Sequence, residues 1–74
     1  NPASTDIVIN LSLFNTKQEA LVEIVDLMGR TFHRESISGR EELKVVINTW
    51  AIGRYLVRVQ QGTQQRSQSF IKTN

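Results

Sequence analysis

The chain has 74 residues and no cysteine, so one small apolar core must hold it without a disulfide or a thiolate-bound metal. Ordering each backbone residue costs about 1 to 2 kcal/mol, and so short a chain has little interior with which to offset that cost. One domain of modest stability is expected, with no room for a deep cleft between subdomains. The opening Asn1-Pro2-Ala3-Ser4-Thr5 is linker-like, so the chain reads as the tail of a larger protein, with residues 1–5 a linker end and residues 6–74 the domain.

The apolar residues that could build such a core recur with a period of two. Ile7, Ile9, Leu11 and Leu13 alternate with Val8, Asn10, Ser12 and Phe14, which predicts a strand with one buried face. Leu43, Val45 and Ile47 repeat the pattern, as do Tyr55, Val57 and Val59, with Lys44, Arg58 and Gln60 on the opposite faces. Residues 31–37 carry fewer apolar side chains, as a charge-blunted edge strand does, and residues 66–72 close the chain through Phe70 and Ile71. Turns are expected at Ser38-Gly39 and Gln61-Gly62. Residues 16–28 fit two patterns. Thr16-Lys17-Gln18-Glu19 has the form of a helix capping box, and Leu21, Ile24, Val25 and Met28 make a helical stripe ending at Gly29. Yet Ala20, Val22 and Ile24 also alternate with Leu21, Glu23 and Val25, as in a strand.

Little here points to catalysis. The single histidine, His33, precedes Arg34 and Glu35 in a polar strand, with no nucleophile at motif spacing. The acids are scattered, and the adjacent Glu41 and Glu42 follow Gly39-Arg40 as a solvated turn does. No cluster has metal-ligand spacing, so neither metal nor cofactor is expected. A net charge of +2, with Arg30, Arg34, Arg40, Arg54, Arg58 and Arg66 spread out rather than interleaved with aromatics, argues against a nucleic-acid partner. Trp50 and Tyr55 have the makings of a stacking platform, but in a core this small a lone tryptophan between strands more often plugs the open end of the sheet.

Four segments in fixed order resemble the type A C-terminal sorting domains of the type IX secretion system. They are Asn1-Pro2-Ala3 ahead of a strand, Val22-Glu23-Ile24-Val25-Asp26-Leu27-Met28-Gly29-Arg30, Trp50-Ala51-Ile52-Gly53-Arg54-Tyr55-Leu56-Val57-Arg58-Val59, and Phe70-Ile71-Lys72 beside the C-terminus. Together they span nearly the whole chain, and their order and spacing are more specific than any one of them. Ser69 stands where family tails often carry a second lysine, and Val25 where an aromatic is frequent.

The resemblance implies an all-β fold, a small immunoglobulin-like antiparallel β-sandwich of about seven short strands. It favours a strand followed by a turn through Asp26-Leu27-Met28-Gly29, and it gives Gly29, Gly53, Trp50 and Tyr55 structural places in the motif. It further implies a secretion signal rather than an enzyme. Such a domain is carried behind an N-terminal cargo domain and recognised by the type IX translocon and outer-membrane shuttle proteins. It travels through the periplasm to the outer membrane, cell surface or medium of a Bacteroidetes-type organism, and a sortase-like surface protease removes it. Phe70, Ile71 and Lys72 are the expected recognition strand, because an end strand exposes backbone groups that a partner can pair; the same edges permit self-association.

Two other readings follow from the residues. An immunoglobulin-like accessory module would bind glycan or protein beside a catalytic domain through Trp50 and Tyr55. An α+β domain with a helix over residues 16–28 would use its sheet and arginines on nucleic acid. In the sandwich, Tyr55, Val57 and Val59 are expected to face Val22, Ile24, Ile7 and Ile9 across the core.

Overall fold

The computed structural model describes residues 2–12, 14–15 and 17–74. Asn1 of the opening motif, Leu13 of the first expected strand and Thr16 of the capping box lie outside the described residues. All regular structure in the described residues is β. The strands are β1 (Pro2–Ala3), β2 (Asp6–Asn10), β3 (Ala20–Asp26), β4 (Thr31–Ile37), β5 (Glu42–Val46), β6 (Gly53–Gln61) and β7 (Gln64–Lys72). Six of them run five to nine residues. The full strands are thus six rather than the expected seven, since β1 is only a two-residue pairing parallel to the end of β7.

The larger sheet has the order β1-β7-β6-β3-β4 and the smaller pairs β2 with β5. Every pairing except β1 with β7 is antiparallel. β2 and β5 meet across the intervening β3–β4 hairpin, and β6 then returns beside β3. This is the Greek-key arrangement of an immunoglobulin-like sandwich, in which the second and fifth strands form one sheet and the later strands flank the third in the other.

Residues 20–26 form a strand, and no helix occurs among the described residues, which removes the α+β reading. Ala20, Val22 and Ile24 all point into the core, the last two with no exposed surface. β3 pairs with β4 on one side and β6 on the other, so the sheet satisfies backbone groups that a helix would have had to satisfy internally. The register also corrects one expectation. Val22 lies beside Val59 and Ile24 beside Val57 in the same sheet, not across from them. The residues that close the core from the other sheet are Ile9, Leu43 and Val45, with Ile7 partly buried against it.

The first strand is shorter than its alternation suggests. It stops at Asn10, whose Oδ1 accepts a bond from the Ser12 amide at 2.8 Å. The Phe14 amide then donates to the Leu11 carbonyl at 3.0 Å. This turn reverses the alternation, so Phe14 and Leu11 are both buried. The last hairpin turns through Gly62-Thr63, with Gln61 and Gln64 as its closing pair, one residue later than expected.

Gln61 is one of two buried polar residues in the domain's described part. Its Nε2 donates to the carbonyls of Asn15 (2.6 Å) and Gln18 (2.9 Å), and its Oε1 accepts from the Asn15 amide at 3.0 Å. One side chain thus ties the crossing between the two sheets to the end of β6. In Gln61→Leu those backbone groups lose their partners, and unmet buried groups cost about 1 to 3 kcal/mol apiece less what water recovers. Urea unfolding is expected to give a loss of about 2 to 3 kcal/mol. A variant as stable as the parent would show that the crossing is held by something else.

Candidate functional site

One end of the sandwich gathers most of the residues that the sequence marks. Asp26 pairs with Tyr55, Arg54 with Ile71 and Gly53 with Lys72, so β3 and β7 finish where β6 begins. The β3–β4 turn, residues 27–30, projects from this end. Gly29 has a φ of +84° there, a left-handed conformation that a Cβ disfavours, and its amide donates to the Asp26 carbonyl at 3.1 Å. Gly53, with φ of +154°, admits the chain into β6 in a region that side chains also avoid.

Beneath the turn lies a ladder of aromatic rings. Phe70 stacks on Tyr55 with centroids 5.4 Å apart, while Trp50 lies 5.3 Å and Phe32 5.2 Å from Tyr55. Phe32 and Trp50 also touch, at 5.2 Å, and the Arg30 guanidinium lies over the Phe32 ring. The Tyr55 hydroxyl donates to the Ala51 carbonyl at 2.6 Å, a bond from the start of β6 back to the preceding connection that matches the tyrosine corner of immunoglobulin-like sandwiches. Sequence reasoning missed Phe32 because it sits among polar residues in an edge strand. The register shifts between Ile24 and Val25, leaving Phe32 as an unpaired bulge residue, and a bulge re-aims its side chain.

Phe70 and Lys72 are both buried, the lysine to 4% exposure, with its Nζ donating to the Thr73 carbonyl at 2.6 Å. Only Ile71 of the expected recognition strand turns outward. Pro2 and Ala3 cover the adjacent backbone, and the Thr73 amide donates to the Ala3 carbonyl at 2.7 Å. The turn tip is unexpectedly apolar and open. Leu27 is 75% and Met28 82% exposed, and Ile52, just before β6, is exposed as well.

The remaining candidates stay dispersed. His33 bonds Glu35 at 3.0 Å, and Glu41 and Glu42 are exposed. Arg34 and Arg58 flank Glu23 at 3.9 Å each on the outer face of the larger sheet. No group of three or more His, Cys, Asp or Glu able to hold a metal occurs among the described residues. The accessory-module reading needs open faces on Trp50 and Tyr55, but Tyr55 is 3% exposed and its ring is enclosed by Phe32, Trp50 and Phe70.

A family model described as a secretion system C-terminal sorting domain matches residues 1–73. No curated protein matches the chain.

Asp26 organises the turn. Its Oδ1 accepts from the amides of Met28 and Arg30, each at 2.9 Å, and its Oδ2 from the Arg30 Nε at 2.7 Å. Desolvation opposes ionisation of this carboxyl, but the bonds from the Arg30 amide and guanidinium, the charge of that guanidinium and the Met28 amide together hold its pKa below the ordinary value. A carboxylate depressed in the folded state stabilises it fully above the unfolded pKa of about 4, and the contribution fades as pH falls through the lower folded value. The stability difference between the parent and Asp26→Asn should therefore be constant above about pH 5 and shrink toward pH 2 in denaturation series at stepped pH. A difference that grew in acid would overturn the assignment.

Proposed function

The chain belongs to the secretion system C-terminal sorting domain family, and from that premise we propose how it works as a signal. A domain of this family marks its cargo for export by the type IX system across the outer membrane, toward the cell surface or the medium. The observation that carries the function is the family match over residues 1–73 in a chain whose strands build a single sandwich. The finer steps are our reading. Translocon and shuttle proteins bind the folded domain on the periplasmic side, and a sortase-like protease removes it at the surface.

A signal of this kind acts by being bound, so it needs a stable shape and an anchor. Leu27, Met28, Ile52 and Ile71 are exposed apolar side chains at one end of the sandwich, and the aromatic ladder beneath them gives a firm base. Burying a side chain of this size against a partner is worth about 1.5 to 3 kcal/mol. In this reading Ile71 contacts the machinery, while Phe70 and Lys72 hold the strand that presents it. Deleting residues 70–74 is a poor test, because it removes a core aromatic as well as the contact.

The direct experiment fuses the chain behind a fluorescent reporter that bears an ordinary export signal. The reporter should reach the surface or medium in a host with a working type IX system and remain inside its translocon-deficient sibling. Retention in both strains would refute the signal. For the anchor, Met28→Asp combined with Ile71→Asp should leave the unfolding transition near that of the parent and lower the exported fraction about tenfold, the equivalent of about 1.4 kcal/mol. Undiminished export of this folded variant would move the recognition surface elsewhere.

A further inference from the structure

The two outer edges of the larger sheet are built differently. β4, at one edge, reads Thr-Phe-His-Arg-Glu-Ser-Ile and carries a bulge at Phe32, both of which discourage another strand from adding to it. β7, at the other, reads Gln-Gln-Arg-Ser-Gln-Ser-Phe over residues 64–70, with one charge, no proline and no register shift. β1 covers this edge only beside Ile71 and Lys72.

The unprotected part of the edge has backbone groups ready to pair. Gln61 and Gln64 close the two-residue hairpin, so they form a hydrogen-bonded pair, and even-numbered residues of β7 turn their amides and carbonyls to β6. The odd-numbered residues Gln65, Ser67 and Ser69 point theirs outward. The Thr73 amide, in the same phase, already pairs outward with Ala3. Alongside this edge runs a groove of about 520 Å³ between β7 and β2. Val57, Val59, Phe14 and Phe70 line it, and Ile7 and Ile9 form its other wall. β2 pairs only with β5, so nothing among the described residues closes the groove from that side.

We propose that the polypeptide leading into Pro2 occupies this groove as an extended strand, continuing β1 in parallel along the free edge of β7. The inference rests on the family reading, because a C-terminal domain has cargo chain before it. The direction is fixed by the register of Pro2 with Ile71 and Ala3 with Lys72. In a parallel ladder each earlier residue pairs one position earlier on β7, so about six residues before Pro2 reach Gln65. The apolar walls of the groove, Val57 and Val59 on one side and Ile7 and Ile9 on the other, suit apolar or small side chains at alternate positions of an added strand. The cargo junction is then an element of the sandwich rather than a free tether, and the edge left open in the isolated domain is closed in the whole protein.

The test is amide hydrogen exchange on the full-length protein, resolved at Gln65, Ser67 and Ser69. The parent is compared with a variant carrying prolines at two alternate positions among the six residues before Pro2. In the parent these three amides should exchange at least about tenfold more slowly than in the variant, with protection in β3 and β6 unchanged between them. Equally fast exchange in both proteins overturns the proposal. Protection that disappears on dilution, or that arises only when translocon components are added, assigns the groove to a second copy or to the machinery and overturns it too. Export is scored separately with the reporter, so a failure of sorting leaves the exchange result intact, and the reverse.

Discussion

Tyr55 is fixed at both ends of its side chain. Its ring stacks on Phe70 inside the core, and its hydroxyl reaches the Ala51 carbonyl outside β6. Because it follows the entry of the chain into β6, that double attachment sets where the central strand begins and hence the register of Val57 and Val59 against Val22 and Ile24. Trp50 and Phe32 complete the contact from the β5–β6 connection and the bulged edge strand. The same rings that close the core therefore form the base for the exposed apolar turn above them.

A domain of this size without disulfides has to fix its connections by other means, and it uses side chains that bond the backbone. Gln61 fastens the crossing between sheets and Asp26 closes the β3–β4 turn. The two devices differ in kind. Gln61 is buried and neutral, so its contribution is independent of pH and comes from sparing backbone groups an unmet desolvation. Asp26 works as a carboxylate, and its partner Arg30 is largely exposed, so the ion pair adds little beyond orienting the loop. Both leave the apolar surface at the turn tip free of any structural duty in the domain itself.

That separation suits a domain that acts by being recognised. Phe70 and Lys72 are committed inward, and Ile71 between them is presented outward because successive residues of a strand face opposite ways. A substitution at Phe70 would thus affect folding and recognition together, whereas one at Ile71 separates them.

The alternation of Leu43 with Val45, and of Tyr55 with Val57 and Val59, identified two strands and their buried faces, because a period of two leaves no other regular solution for β-branched residues. The glycines at 29, 39 and 62 likewise marked turns. Residues 16–28 were ambiguous by pattern alone, since a short apolar stretch fits helical and strand periods equally; the family resemblance favoured a strand, and pairing on both sides makes residues 20–26 one. Periodicity gives the face of a residue but not its neighbour, which is why Val22 and Ile24 proved to lie beside β6 rather than across from it. Phe14 entered the packed core through a turn, and Phe32 reached the Tyr55 ring from the surface through a bulge, local departures from alternation that carry no periodic signal. The sequence by itself determined the strands around Leu43 and Tyr55 and the order of the motifs, since these follow from local pattern, and the resemblance those motifs carry supplied the fold class. The tertiary structure alone decided which side chains at the Phe70-Ile71-Lys72 tail are buried and which edge is left open, because burial and pairing depend on strands distant in the chain.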